Sequence, residues 1–274
     1  MELTFQTEKI SERVTRIFAF NTELMYLVEG TERAALLDTG SGFGSLRACV
    51  DALTDKPVTI LLTHGHTDHA LGAAEFDNVF ISPLDENAYA VHSQPEFRAN
   101  SGQMWPEFAL ITLEQIIPAM PFEAMHPLRP GDRFELGGVS VEVFACPGHT
   151  PGSLTFLLPE ERMLLLGDAC NHMVFLFDEL SLPVSVYRES LLALDAATAG
   201  RYDRVLLSHG DGEGVPDMIG RVIEVCDDIL AGRSDKAPFE FLGARAWLAK
   251  AVGTDRRRVD GGAGNIVFSA LTEK

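Results

Sequence analysis

Cysteine and long apolar runs are scarce in this sequence of 274 residues. The four cysteines lie far apart and form no CxxC pair, which argues against a zinc knuckle, a thioredoxin-like motif and a disulfide framework. We expect free thiols in a reducing compartment. No apolar run is long enough for a membrane span, and charged side chains interrupt the first thirty positions, where a signal peptide would need an apolar core. The expected location is therefore the cytoplasm, with no membrane partner.

Positive charge is also in short supply. The chain has 22 lysine and arginine residues against 40 aspartate and glutamate residues, so its formal net charge is -18. A surface this acidic repels nucleic-acid phosphates, and we expect a small-molecule substrate rather than a nucleic-acid partner. Hydrophobic residues make up 46% of the chain, which is enough for a sizeable core.

Hydrophobic patterning predicts an α/β protein. Short apolar runs bounded by turn residues favour strands, and apolar spacings of three and four favour helices. The predicted strands span residues 14–20, 24–29, 34–38, 58–63, 133–136, 139–144, 153–158, 163–167 and 204–208, with hairpin turns at Gly137-Gly138 and Glu160-Glu161. The predicted helices span residues 44–53, 70–75, 188–199 and 217–230. This order suits helices that cover two packed sheets in a single domain of residues 1–274.

Residues 84–128 form a segment without a clear strand pattern. It contains several prolines and five aromatic residues, Tyr89, Phe97, Trp105, Phe108 and Phe122. Its helical stretches either form a lid over a pocket or pack on the sheet as an ordinary helical excursion. If the segment is a lid, trimming Trp105 or Phe108 is expected to change substrate preference more than metal affinity.

The C-terminal region leaves two alternatives open. Residues 266–270 are apolar and either return as a strand or pack against a second copy of the chain in a homodimer. The arginine run at 256–258 has the pattern of solvated charge before a turn.

Residues 63–69 have the sequence THGHTDH and follow a predicted apolar strand. Three of the eight histidines and one carboxylate fall within six positions, which disfavours an interpretation as structural histidines with satisfied hydrogen bonds. Neutral imidazoles and carboxylates are ligands of borderline metals, and a strand-to-loop transition aims such side chains at one point. Gly65 would let His64 and His66 project past a tight backbone, while Asp68 and His69 would face a second point nearby.

The sequence resembles the metallo-β-lactamase superfamily, whose signature HxHxDH is met in full at positions 64–69. Further segments are similar to the family's other motifs: LLDTG at 36–40, CPGHTPGS at 146–153, LLLGD at 164–168 and LLSHG at 206–210. Together these segments span most of the chain. The resemblance implies an αββα sandwich, in which two mixed β-sheets are flanked by helices and metal ions lie at one edge between the sheets.

The resemblance also implies a dinuclear metal centre. One ion would occupy a three-histidine site, a second ion would occupy a mixed site, and one aspartate would bridge both. The three-histidine ligands are His64, His66 and His149, the mixed ligands are Asp68, His69 and His209, and the bridging residue is Asp168. Zinc is the first choice of metal, with iron or manganese as alternatives.

Other polar residues lie beside these motifs. Asp38 either accepts the free ring N–H of a ligand histidine or forms a turn. Asn171 and His172 follow the bridging aspartate closely, and they either line the pocket or belong to the surface. His92 and His126 have no motif around them and are not expected to bind metal.

A dinuclear site of this kind implies hydrolysis. Two bound cations would lower the pKa of a water molecule, and the resulting hydroxide would attack an ester, thioester, lactone, amide or phosphodiester bond. Asp68 would orient the hydroxide and pass a proton to the leaving group, which makes it the candidate catalytic residue. Enzymes of the glyoxalase II type are similar at the metal motifs but add a helical C-terminal domain, and only 65 residues follow His209 here.

Two other functions remain as alternatives. An iron-dependent redox enzyme of the same fold, flavodiiron-like or persulfide dioxygenase-like, would use a related ligand set. The flavodiiron signature commonly has glutamate where His66 stands, which disfavours that branch. A non-catalytic metal-binding protein is the second alternative, and the complete ligand set disfavours it.

Overall fold

A computed structural model gives the structure of the protein and describes residues 4–20, 23–102, 116–241 and 243–274. The strands are β1 (Gln6–Lys9), β2 (Val14–Phe18), β3 (Leu24–Glu29), β4 (Ala34–Leu37), β5 (Val58–Leu61), β6 (Val79–Ile81), β7 (His126–Pro127), β8 (Arg133–Glu135), β9 (Ser140–Ala145), β10 (Leu154–Leu158), β11 (Met163–Leu165), β12 (Val174–Leu176), β13 (Arg204–Leu206), β14 (Glu213–Gly214), β15 (Ala237–Phe241), β16 (Ala244–Leu248) and β17 (Ile266–Phe268). The α-helices are α1 (Leu46–Leu53), α2 (Thr67–Ala70), α3 (Glu86–His92), α4 (Pro95–Gly102), α5 (Val184–Thr198) and α6 (Met218–Leu230). Single 3₁₀ turns lie at Ala73–Glu75, Pro83–Asp85 and Phe122–Ala124.

The first sheet contains β1 to β7 in sequence order. Strands β1 to β4 pair antiparallel, and β4 to β7 pair parallel. Strands β3 and β4 are buried almost throughout because both faces of the sheet are covered. Alternate residues therefore enter different cores, with Leu27 and Leu36 facing α1 and with Val28 and Leu37 facing the second sheet.

The second sheet has the strand order β14-β13-β11-β10-β9-β8. Only β11 and β13 are parallel among its described pairs. Its inner face packs on the first sheet through Phe156 and Leu165, whereas Leu157 and Leu164 on the outer face pack on α5 and α6. The layers are therefore helix, sheet, sheet and helix, which is the predicted αββα sandwich.

A smaller sheet, which the sequence analysis does not predict, has the strand order β12-β17-β16-β15. One face shares a core with α5 and α6 through Val174 and Phe268. Residues 266–268 form β17 and pair in parallel with β12, so this part of the apolar run 266–270 returns as a strand, which was one of its two expected structures. Strands β15 and β16 pair as a local hairpin, but β12 and β17 have only three residues each and pair across a long stretch of chain, so local sequence patterns do not reveal the whole sheet.

The described parts of the segment 84–128 contact the first sheet. Helix α3 places Tyr89 in the core, where its hydroxyl donates to the Met120 carbonyl at 2.7 Å and its ring packs near Phe122. Strand β7 pairs with β6 at the sheet edge. These contacts favour packing on the sheet for the described part of the segment. Trp105 and Phe108, on which the lid prediction depends, lie outside the described residues.

Two predicted helices have different bounds in the structure. The helix expected at 70–75 is instead the short α2 followed by a 3₁₀ turn. The reason is that the backbone N–H groups of Leu71 and Gly72 donate to the Gly40 carbonyl, at 3.1 and 3.2 Å, and leave the helical hydrogen-bond ladder. The helix expected at 188–199 begins earlier, at Val184, directly after Pro183.

The four cysteines are free thiols, and Cys146, Cys170 and Cys226 are buried in the core beneath α5 and α6. Burial raises the pKa of Cys146 to about 12, so this thiol stays protonated at neutral pH. Among the described residues, no helix combines the length and the apolar character that crossing a membrane requires.

Candidate metal centre

The candidate site lies where strands of both central sheets end. His64 follows β5, Asp168 follows β11 and His209 follows β13, while His149 lies in the loop between β9 and β10. Because β11 and β13 are parallel neighbours, the loops that follow them emerge at the same edge of the sheet. The fold thus gathers side chains from segments that are far apart in sequence.

Seven side chains converge at this edge in three overlapping groups, and the donor atoms of each group lie within 4.8 Å of one another. The groups are His64, His66 and His149; His64, His69 and Asp168; and Asp68, His69 and His209. These are the seven residues that the sequence motifs single out as ligands. The first group is called the three-histidine group below, and the third is called the mixed group.

The three-histidine group is the buried part of the site. His149 Nε2 lies 2.9 Å from His66 Nδ1, and the His64 ring centroid is 4.6 Å from that of His66 and 4.9 Å from that of His149. Burial, followed by the neighbouring histidines, lowers the pKa of His64 and of His66 well below the usual value. Both rings therefore stay neutral at physiological pH and keep a lone pair for a cation.

Two members of the mixed group are partly exposed to solvent, whereas His69 is buried. The side chains of Asp68 and His209 are 35% and 33% exposed. Asp68 Oδ2 lies 3.6 Å from His69 Nε2 and 3.5 Å from His209 Nε2. Desolvation by itself would raise the pKa of Asp68, but the facing rings of His69 and His209 hold it well below its usual value. The carboxylate is therefore charged and reachable from the open side of the site.

Asp168 lies between the two groups. Its Oδ2 is 3.5 Å from His69 Nε2 and 3.8 Å from His149 Nε2, and its Oδ1 is 3.3 Å from His209 Nε2. The side-chain amide of Asn171 donates to Asp168 Oδ1 at 3.2 Å. One carboxylate thus faces side chains of both groups, and Asn171 helps to orient it.

Hydrogen bonds behind the rings select their tautomers. His69 Nδ1–H donates to Asp38 Oδ2 at 2.9 Å, and His149 Nδ1–H donates to the Phe175 carbonyl at 2.7 Å. Each contact turns Nε2 toward the site and makes the ring a better ligand. Of the two alternatives considered for Asp38, the histidine contact is present in the structure, and the residue also has a left-handed φ of 63°.

The donor atoms fit divalent cations. The Nε2 atoms of His64 and His69 are buried and have no hydrogen-bond partner in the described structure, although buried polar atoms are normally paired. They face carboxylates and other imidazoles. A cation would satisfy them, and neutral imidazole with carboxylate is a donor set suited to zinc, iron or manganese. The histidine and aspartate groups could therefore bind metal ions.

The remaining histidines near the motifs have other environments. His172 is exposed, and its Nε2 lies 3.2 Å from the Glu213 carbonyl. His126 is exposed on β7. His92 stacks on His66 with ring centroids 3.9 Å apart and an interplanar angle of 13°. It belongs to none of the three groups, yet it contacts the ring of a candidate ligand directly, which its sequence context does not indicate.

Two buried carboxylates beside the site were not expected from the sequence. Glu23 pairs through its backbone with His209, and burial and the nearby Asp68 charge raise the pKa of Glu23 to about 7. Its Oε1 accepts a hydrogen bond of 2.7 Å from the Ser41 hydroxyl. Asp85 is fully buried directly before α3. Neither residue lies in a motif, so no local signal distinguishes it from the many other acidic residues.

Comparison of this sequence with the profiles of known protein families shows which family has this arrangement of residues. The sequence profile of the metallo-beta-lactamase superfamily matches residues 20–209. The chain belongs to this superfamily. The matched range contains all seven candidate ligands, from His64 to His209.

Relatives of this superfamily member include hydrolases. Hydroxyacylglutathione hydrolase GloC of Haemophilus influenzae is 25% identical over 156 residues, which are 56% of this chain and 68% of that protein. Acyl-coenzyme A thioesterase MBLAC2 of Bos taurus is 27% identical over 172 residues, which cover 54% of this chain and 58% of that protein. The solved structure of a metallo-beta-lactamase from Pontibacter korlensis has a TM-score of 0.62 at 18% identity and covers 82% of this chain and 100% of that one. The shared fold and these relatives support hydrolase activity at the level of the superfamily.

Proposed function

We propose that the protein is a dinuclear metal-dependent hydrolase that acts on a thioester or ester bond of a small molecule. One observation carries this proposal: the three-histidine group and the mixed group have no residue in common, and Asp168 faces both. A single tetrahedral zinc ion uses four ligands, whereas seven side chains converge here. The donor set therefore has the capacity for two ions.

The side chains of the site have separable tasks in this proposal. The three-histidine group would hold one ion in the buried part of the site, and the mixed group would hold the other on the open side. Bound there, the two ions would acidify a water and polarise the bond under attack. Asp68 is the exposed carboxylate of the set and would move a proton to the leaving group. Asp38 and Asn171 would keep His69 and Asp168 in place.

Thioesters are the first choice of substrate. The names of GloC and MBLAC2 describe hydrolysis of an acylglutathione and of an acyl-coenzyme A. A thiol has a pKa of about 8.5, so a thiolate leaves with little help from an acid, whereas an alkoxide needs a proton from a group such as Asp68. Thioesters therefore make the smallest demand on the proton donor, and esters are the second choice.

An aromatic cluster adjoins the buried part of the site. The Phe175 carbonyl orients His149, and the Phe175 ring lies 4.9 Å from the Phe241 ring and 5.6 Å from the Phe177 ring. Phe239 stacks on Phe241 at a centroid distance of 6.5 Å. All four rings are half-buried, and they lie on the face of the small sheet opposite α5 and α6. The acyl chain of the substrate would lie on this cluster, because apolar surface beside a polar site suits an apolar group.

Trimming the aromatic cluster is expected to change the preferred acyl-chain length. In Phe177→Ala and Phe241→Ala, kcat/KM for an octanoyl thioester should fall about tenfold, while the value for the acetyl thioester should stay unchanged because a short chain does not reach the rings. Trp247→Phe, on the opposite face of the same sheet, is the matched control. Equal losses for both substrates would count against an acyl site at this cluster.

The primary test combines metal analysis with a substrate panel on the same preparation. Reconstitution with zinc should give about two ions per chain by elemental analysis, since seven ligands exceed what one ion uses. On a panel of thioester, ester, lactone and phosphodiester substrates, kcat/KM should be highest for the thioester or the ester. Chelation should abolish turnover, and added metal should restore it.

Other outcomes of this experiment would contradict the proposal. A stoichiometry that stays at one under excess zinc, manganese or iron would overturn the dinuclear site. Iron accompanied by oxygen consumption would favour the redox alternative. Two bound ions without turnover on any member of the panel would favour a metal-binding protein that is not an enzyme.

A further inference from the structure

A buried carboxylate outside the ligand set connects the two loops that carry the three-histidine group. Asp85 is fully buried, and in the part of the chain that the structure describes it forms no ion pair with lysine or arginine. Its Oδ2 accepts from the Gly65 N–H at 2.8 Å and from the Thr150 hydroxyl at 2.9 Å, and its Oδ1 accepts from the Gly152 N–H at 2.6 Å. These three donors replace the water that a carboxylate loses on burial.

The three donors belong to the ligand loops themselves. Gly65 separates His64 from His66, and Thr150 follows His149. Hydrogen bonds to a carboxylate are charge-assisted, and they are stronger and more directional than bonds between neutral groups. Because all three converge on one rigid group, moving either loop relative to the other would break at least one of them. Asp85 therefore holds the distance between the loop after β5 and the loop between β9 and β10.

Two glycines of the family motifs are explained by the same contact. A Cβ on Gly152 would lie 2.4 Å from Asp85 Oδ1, and a Cβ on Gly65 would lie 2.9 Å from the Tyr89 nitrogen and 3.1 Å from the Asp85 carbonyl oxygen. Both glycines allow the segment around Asp85 to approach the loops closely. From the sequence, Gly65 was expected to make room for the flanking histidines. In the structure, the space that the missing side chain leaves is filled by the start of α3.

We infer that Asp85 is a positioning residue that sets the geometry of the three-histidine metal site by tying its two loops together, an inference that rests on the proposed dinuclear function. Asp85 acts through the backbone on His64, His66 and His149. Its hydrogen bonds reach no residue of the mixed group. Its removal should therefore weaken one of the two metal sites selectively, which a general loss of stability would not do.

Metal titration of the full-length chain, stripped by chelation, tests this inference. Cobalt(II) is the probe because its absorption spectrum reports ligand geometry, and zinc is then added as a competitor. In a first background, His209→Ala removes a ligand of the mixed site, so that the three-histidine site can be measured by itself. In a second background, His149→Ala removes a ligand of the three-histidine site, so that the mixed site can be measured by itself. In the first background, Asp85→Asn should weaken cobalt and zinc binding about 10–100-fold and change the cobalt spectrum, as for other residues that orient ligands. In the second background, it should leave the affinity unchanged.

Two further variants control for stability. Leu191→Ala removes a buried side chain from α5, away from the site, and should lower the unfolding temperature of the metal-free chain without changing either metal affinity. Thr150→Val removes one of the three hydrogen bonds and should weaken the three-histidine site to a smaller extent than Asp85→Asn. It keeps the test available if Asp85→Asn does not fold.

The possible results separate this inference from the proposed function. Unchanged affinity in the variants, equal weakening of both sites, or the same weakening in Leu191→Ala would overturn the role of Asp85. Since the readout is metal affinity, a chain that binds two ions and hydrolyses nothing would overturn the proposed function alone. A wild-type chain that binds neither cobalt nor zinc would overturn both.

Discussion

Asparagine in place of Asp68 is expected to lower kcat about 10²–10⁴-fold, the range typical of lost acid–base assistance. Asparagine keeps the size and one oxygen donor of the side chain but removes its charge and its capacity to carry a proton. The loss should be smaller for a thioester than for the matching alkyl ester, because a thiolate leaves without protonation more readily than an alkoxide. Steady-state rates on both substrates, with metal content measured on the same samples, test this expectation.

Asp211→Asn is the matched control for this substitution, since Asp211 is an exposed aspartate two residues after His209 and lies in none of the ligand groups. It should retain wild-type turnover. Wild-type turnover in Asp68→Asn at full metal content would remove Asp68 from the mechanism. His172 would then be a poor replacement, because its ring is exposed and lies against the Glu213 carbonyl rather than against the ligand groups.

Asparagine in place of Asp168 should weaken both metal sites together, and after dialysis the chain should retain less than half of the wild-type metal. The physical reason is that the Asp168 carboxylate faces His149 on one side and His69 and His209 on the other, so its negative charge offsets the repulsion between two close cations. Elemental analysis and calorimetric titration with zinc measure the effect.

His126→Asn is the control for the loss of a histidine or a charge elsewhere, because His126 is exposed on the edge strand β7. It is a cleaner control than a substitution at His92, whose ring stacks on His66. Equal metal loss in Asp168→Asn and His126→Asn would contradict the division of the site into ligands and bystanders. Loss of one ion only in Asp168→Asn would argue that this carboxylate serves a single site.

The ligand motifs could be found from sequence because each is a local signal. His64, Asp168 and His209 each lie three residues after the end of an apolar strand, so a strand end and a candidate ligand can be recognised within a few positions. The same local reasoning works for the helical and strand periodicity of the two central sheets. It fails for the short α2. There the Gly40 carbonyl, from a distant segment, accepts hydrogen bonds from N–H groups that a longer helix would have used.

The three-histidine group and the mixed group differ in solvent exposure, and no sequence motif shows this difference. His64, His66 and His149 are buried, whereas Asp68 and His209 are about one-third exposed. Exposure depends on which loops cover the strand ends, and those loops come from separate parts of the chain. The open side, and with it the position of Asp68 beside solvent, therefore follows from packing and not from the spacing of the ligands.

By itself, the sequence determined short-range motifs in which a metal-ligand type of residue follows a predicted strand. The resemblance that these motifs carry implied the superfamily, the αββα layers and the seven candidate ligands. Only the tertiary structure decided that Asp38 contacts His69, that Asp85 joins the loops of Gly65 and Thr150, and that a third sheet brings an aromatic cluster beside His149. A single aspartate or phenylalanine has no periodicity and no fixed spacing to its partner. Its role arises from burial and from contacts between segments that only the folded chain brings together.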